Sequence, residues 1–202
     1  MTPVRPATPA SRRSLLKAVA GLGVALPLAR LGVRDAAALA EPDPRTARPN
    51  AGDRLVRSPV DGGRPSTLTP AAIPAGGPPV IAYPMEAATG LVRDGSRLNQ
   101  LLLVRLEPRD LAEETRARAA GGIVAYSAVC THTGCDQWEW DARGKTIKCA
   151  CHFSIFDVKD AARVLDGPAP RRLPALPLQT IGGVLAAAGG FVGRPGFQQG
   201  GV

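Results

Sequence analysis

The chain has 202 residues, with 25 Lys and Arg against 17 Asp and Glu, and a formal net charge of +8. Residues 1–40 hold six cationic side chains and one acidic one, or +5, which leaves +3 for the remainder. That remainder shows no compact basic stripe with interleaved aromatics, which excludes a nucleic-acid-binding surface.

In chain order, the first feature is Ser11-Arg12-Arg13-Ser14-Leu15-Leu16-Lys17, followed by a weakly hydrophobic stretch over 18–29 and by Ala38-Leu39-Ala40 before Glu41-Pro42. This pattern resembles a twin-arginine export signal with a small-residue cleavage site. Retention as an N-terminal anchor is the alternative. A spanning helix needs about 20 apolar residues, whereas here the run is shorter and Pro27, Arg30 and Arg34 interrupt it. Residues 41–77 are rich in Pro, Arg, Gly, Asp and Ala and read as a linker.

The 125 residues from Pro78 onward suffice for one core. Val80 to Tyr83 and Leu101 to Leu106 read as strands, and the run Leu101 to Val104 suits burial on both faces. Asp110 and Glu113 resemble a capping pair, so residues 110–119 are expected to form a short helix, stopped by Gly121-Gly122. Ile123 to Val129 is strand-like. Trp138 and Trp140 alternate as on a half-buried strand, and core packing suits them better than a role in an electron path. Residues 141–144 read as a turn, after which Lys145 to Lys148 returns the chain. Leu176 to Ile181, Gly182-Gly183 and Val184 to Ala188 read as a closing hairpin. The chain from 193 to 202 reads as a loose tail. Asp136, Asp157 and Asp160 read as turn and surface residues.

All four cysteines and both histidines lie between Cys130 and His152. They read Cys130-Thr131-His132-Thr133-Gly134-Cys135 and then Cys149-Ala150-Cys151-His152-Phe153-Ser154. Thiol and imidazole are the side chains that best bind soft and borderline metals, so the cluster points to a metal site. Each of Cys130-x-His132 and Cys149-x-x-His152 offers one sulfur and one nitrogen. An iron pair suits that mixture, with two thiolates on one iron and two imidazoles on the other. A structural zinc module is the alternative, although zinc sites with two Cys and two His usually place the Cys ligands two to four residues apart. Cys135 and Cys151 are left over, either as a disulfide or as buried thiols.

On these residues the chain resembles the Rieske iron–sulfur proteins of cytochrome bc complexes and of arsenite oxidase, over about residues 78–192. The resemblance implies a mainly β fold, with an antiparallel base domain and a small inserted cluster-binding subdomain. It implies one 2Fe–2S cluster per chain, with Cys130 and Cys149 on one iron and His132 and His152 on the other. It also implies a Cys135–Cys151 disulfide, a Ser154 hydroxyl donating to a cluster sulfur, and Gly167-Pro168-Ala169-Pro170 as a proline-rich loop over the cluster. Three positions depart from the bc-type pattern: Ala150 replaces proline, Phe153 replaces glycine, and Thr133 replaces leucine or methionine at the exposed tip. His152-Phe153-Ser154-x-Phe156-Asp157 is more similar to arsenite oxidase. Phe156 stands where high-potential members carry a tyrosine.

The implied function is one-electron transfer, by the iron–sulfur subunit or partner of an exported respiratory oxidoreductase, rather than a catalyst acting alone. The alternative is the iron–sulfur subunit of a membrane quinol–cytochrome c reductase. The implied partner is a c-type cytochrome, a cytochrome b or a molybdenum oxidase subunit, and the implied location is the periplasm or the periplasmic face of the inner membrane. An oxygenase would need two further histidines and a carboxylate for its mononuclear iron, and the chain has no third histidine.

Overall fold

The computed structural model describes residues 41–57 and 64–197. The expected leader over 1–40 lies outside the described residues, as do 58–63 and 198–202. No helix among the described residues is long and apolar enough to cross a membrane.

Eleven strands and one short helix make up the described part: β1 (Arg54–Arg57), β2 (Ser66–Thr67), β3 (Val80–Met85), β4 (Leu101–Arg105), α1 (Glu113–Arg116), β5 (Ile123–Ser127), β6 (Trp138–Asp141), β7 (Thr146–Cys149), β8 (Ile155–Asp157), β9 (Arg163–Asp166), β10 (Leu178–Ile181) and β11 (Val184–Ala187). The larger sheet runs β10-β11-β1-β3-β4-β5, with β2 added beside β1. Every strand pairing in it is antiparallel. The free edge of β5 is taken by the returning chain, through Ser127 N–H to Pro174 C=O (2.8 Å) and Leu176 N–H to Ala125 C=O (2.9 Å). Because that chain leads directly into β10, the sheet curls back on itself and its edge groups are paired.

The run Leu101 to Val104 is explained by the two cores it separates. Leu101 and Leu103 face one core with Leu55, Ile123 and Leu185. Leu102 and Val104 face the other, with Tyr126, Cys130, Cys149 and Phe156. Side chains alternate along a strand, so only a strand buried on both faces is apolar at every position.

The second sheet is the hairpin series β6-β7-β8-β9. It lies in the insertion between β5 and the returning chain at 173–176, and it is tied to the base by its tryptophans. Trp138 pairs across the strands with Cys149, donates from Nε1 to Ala128 C=O (2.8 Å) and packs edge-on against Phe156. Trp140 lies over Gly77, where a Cβ would come within 2.5 Å of the indole. Both indoles pack against the core.

Residues 41–77, expected as a linker, instead supply β1 and β2 to the larger sheet, and Leu55, Val56, Leu68 and Ile73 are buried. The anchoring is largely polar and long-range. Arg93 grips the buried Asp53 carboxylate from Nε (2.7 Å). Asn99 Nδ2 donates to Ala47 C=O (2.8 Å) and Arg93 C=O (3.0 Å). A buried ion pair needs such satisfied partners, and partners 40 residues away leave no local trace in composition.

The expected helix over 110–119 shrinks to the single turn α1, capped by Ala112 without a side-chain hydrogen bond. Pro108–Asp110 forms a separate 3-10 turn, and the Arg118 carbonyl accepts from Leu178 N–H rather than from a continuing helix. Gly121 and Gly122, both at positive φ, form the turn between Ala120 and Ile123, which bridge one another.

Candidate metal centre

Two loops carry the cysteines and histidines, and they repeat one hydrogen-bond pattern. In the first, which follows β5, Cys130 N–H donates to Cys135 C=O (2.7 Å) and Gly134 N–H to Cys130 C=O (3.0 Å). In the second, which follows β7, Cys149 N–H donates to Ser154 C=O (2.9 Å) and Phe153 N–H to Cys149 C=O (2.8 Å). Gly134 and Phe153 occupy equivalent places, with φ of 83° and 64°. The left-handed region suits glycine and costs other residues about 1–2 kcal/mol. Phe153 is nonetheless 60% exposed, with Lys148 Nζ lying 5.4 Å from its ring centroid.

The matched loops bring the donors together. The Cys130 and Cys149 thiols are free and buried and interact with one another. The His132 and His152 rings lie 4.6 Å apart, edge to face. His132 is half-buried and His152 exposed. Cys135 and Cys151 are joined by a disulfide with Cα atoms 6.4 Å apart, and the Cys149 sulfur lies within 4.8 Å of both its sulfurs. The bridge therefore clamps the two loops beside one of the thiols.

A third loop closes over them. Ser154 is fully buried, and its Oγ accepts from Ala169 N–H (3.0 Å), so its own proton remains to be donated. Thr131 Oγ1 donates to Arg171 C=O (2.6 Å), lacing the first loop to the end of the third. Gly167, at φ +88°, lies against Ser154, where a Cβ would meet Cα at 2.5 Å and the backbone N at 2.9 Å. Gly167→Ala combines left-handed strain with overpacking and should destabilise the protein by about 2–4 kcal/mol. Denaturant unfolding checks this, and an unchanged midpoint would show that the third loop does not press on Ser154.

The electrostatics keep Cys130 protonated until a metal displaces its proton. Burial first, and then the adjacent Cys149, push the Cys130 thiol up to about 11 against the opposing pull of the His132 and Thr131 backbone amides. Without a metal Cys130 is thus a thiol at neutral pH, and ligation releases its proton. His132 Nδ1 is buried and has no hydrogen-bond partner. A buried polar atom left unpaired costs about 1–3 kcal/mol, and coordination would satisfy it. Two sulfurs and two imidazoles, with no carboxylate among the converging donors, fit an iron–sulfur cluster of mixed ligation.

Residues 96–177 match the family model described as the Rieske [2Fe-2S] domain. The chain carries a Rieske domain. Its curated relatives include the cytochrome bc1 complex Rieske iron-sulfur subunit of Streptomyces lividans, 40% identical over 93 residues, which cover 45% of this chain and 55% of that protein. Another is the putative respiratory nitrate reductase subunit Rieske of Haloferax mediterranei, 45% identical over 76 residues, covering 37% and 34%. The chain thus spans about half the length, or less, of these relatives. Among solved structures, the soluble domain of the Rieske protein II from Sulfolobus acidocaldarius aligns with a TM-score of 0.40 at 24% identity, covering 59% of this chain and 71% of that one.

A Rieske domain holds a 2Fe–2S cluster, and the donor set here fits one. The structure carries Cys130 and His132, expected from the sequence as donors, on the first of these loops, and Cys149 and His152 on the second. The sequence did not reveal Thr131, whose hydroxyl ties the loops together, nor the approach of Phe197 to Gly134, where a Cβ would lie 2.9 Å from the ring. Neither residue carries a sequence signal, because both contacts arise from the way distant segments converge.

Proposed function

We propose that this chain transfers single electrons through a 2Fe–2S cluster held by Cys130, His132, Cys149 and His152, as the iron–sulfur subunit or partner of an exported respiratory oxidoreductase. The observation that carries the reading is the convergence of two buried free thiols and two neighbouring imidazoles, one with an orphaned buried nitrogen. The cluster supplies a one-electron couple. Cys130 and Cys149 would hold it from the core side. His152, exposed, and His132, half-buried, would hold it at the rim, where each second ring nitrogen can carry a proton beside a docked partner. Ser154 would donate its hydroxyl to a cluster sulfur and stabilise the reduced form. The Cys135–Cys151 bridge and the loop of Gly167 to Pro170 would exclude water.

In this reading residues 1–40 act as a twin-arginine export signal, which moves folded proteins and so permits cluster insertion before export. The domain would work in the periplasm or at the periplasmic face of the membrane. A c-type cytochrome, a cytochrome b or a molybdenum oxidase subunit would be the partner. The second reading, a quinol–cytochrome c reductase subunit, is favoured by the Gly-Pro-Ala-Pro loop lying over Ser154 and by the Streptomyces relative. Protein expressed with its leader and recovered from the periplasm should contain two iron and two sulfide per chain. It should also show a reversible one-electron midpoint by redox titration with electron paramagnetic resonance. A colourless zinc protein would overturn the proposal.

The same titration tests Phe156. Its ring is fully buried and shares a core with both free thiols. Phe156→Tyr would add a hydroxyl able to donate to a ligand sulfur. One charge-assisted hydrogen bond is worth about 1.5–3 kcal/mol, or about 65–130 mV for one electron. Repacking takes a share, so a rise of tens of millivolts is expected, and an unchanged or lower midpoint would contradict the hydrogen-bond argument.

A further inference from the structure

An open cavity of about 410 Å³ lies where the third loop meets the C-terminal segment, lined by Glu114, Arg171, Arg172, Pro174, Val192 and Arg194. Its charges do not balance. Glu114 is its acidic side chain, and that carboxylate is already engaged by Arg172 (3.0 Å) and Arg118 (2.8 Å). Arg171 and Arg194 have no acidic partner among the described residues, and they repel one another.

Like charges facing a shared cavity destabilise the fold unless something neutralises them. Arg171 is held in place by the fold, and the exposed Arg194 lines the same cavity. The Arg171 carbonyl accepts from Thr131 in the first cluster loop, and its guanidinium Nη2 donates to Gly196 C=O in the C-terminal segment. Arg194 belongs to that same segment, three residues before Phe197, whose ring covers Gly134.

We propose that this cavity binds a small polyvalent oxyanion, of the phosphate or multicarboxylate class, between the Arg171 and Arg194 guanidinium groups. Planar guanidinium groups are suited to such oxygens because each can give two parallel hydrogen bonds. The volume lies in the range of small-molecule sites and admits an organic anion as well as inorganic phosphate. The bound anion joins the loop that covers the metal centre to the C-terminal segment, and so fastens Phe197 against the first cluster loop.

The test uses the full-length, cluster-loaded protein, titrated with inorganic phosphate and separately with citrate at constant ionic strength maintained with chloride. Thermal unfolding should show a saturable rise in midpoint, and calorimetric titration should show one site per chain. Arg194→Gln and Arg171→Gln should each weaken binding at least tenfold, while Arg143→Gln, at an exposed turn away from the cavity, should leave it unchanged. Arg194 is exposed, so its variant should fold even if Arg171→Gln does not, and it decides the question alone. A midpoint that follows chloride as well as it follows phosphate and citrate would overturn the proposal. So would undiminished binding in Arg194→Gln.

Discussion

Replacing Cys149 with serine is expected to abolish the visible absorption and the reduced-state paramagnetic signal, and Cys130→Ser should do the same. Both thiols are buried in the core, on facing loops. A serine hydroxyl is a hard, weakly acidic donor and a poor substitute for thiolate toward iron–sulfur clusters. The substitution also leaves a hydroxyl among apolar neighbours such as Ile147 and Phe156, so the cluster-free variant should be less stable than the cluster-free wild type by about 1–3 kcal/mol. Iron and sulfide analysis of the purified variants checks the first claim, and a full complement of both in either variant would remove that cysteine from the ligand set.

The pH dependence of the cluster-free protein follows from the same burial. The Cys130 thiol is raised to about 11 in the folded chain, above the value of about 8.5 for a free cysteine. A raised acid binds its proton more tightly in the folded state. It contributes stability that is fully present below the unfolded value and is lost as pH climbs through the folded one. Unfolding of the cluster-free protein should therefore become easier from about pH 8.5 to about 11.

The site was more legible in the sequence than the fold around it. Six metal- or disulfide-competent side chains within 23 positions form a pattern set by ligand chemistry, and chemistry of that kind acts through residue identity. Strands β3, β4 and β5 were legible for a similar reason, since unbroken apolar runs state their own burial. The segment 41–77 was not. It holds few large apolar residues, yet Leu55 and Val56 lie buried in β1, and what pins it is an Asp53–Arg93 pair and an Asn99 amide whose partners lie about 40–50 residues away. The helix at 110–119 misled because Asp110 and Glu113 have capping spacing, whereas the chain spends the Arg118 carbonyl on Leu178 instead. Periodicity and caps report local preference, and tertiary hydrogen bonds override it.

The disulfide is expected to matter to the loops more than to cluster assembly. Cys135 and Cys151 are 16 residues apart and hold together the two loops that present the donors. Closing a loop of about 15 residues removes roughly 3 kcal/mol of unfolded-state entropy, so the Cys135→Ala/Cys151→Ala double variant should unfold at a correspondingly lower denaturant concentration. With the proposed ligand set of Cys130, His132, Cys149 and His152, neither residue is needed as a ligand. The double variant should therefore take up iron and sulfide but lose its cluster faster on dilution or warming. The bridge sulfurs lie within 4.8 Å of the Cys149 sulfur, and losing them would open that side of the site to water. The measurement is the bleaching rate of the visible bands, run beside denaturant unfolding. A double variant that bleaches no faster than the wild type would show that Thr131, Ser154 and the loop from Gly167 to Pro170 suffice to hold the loops closed. A variant that never assembles a cluster would show instead that the bridge must form the site before iron enters it.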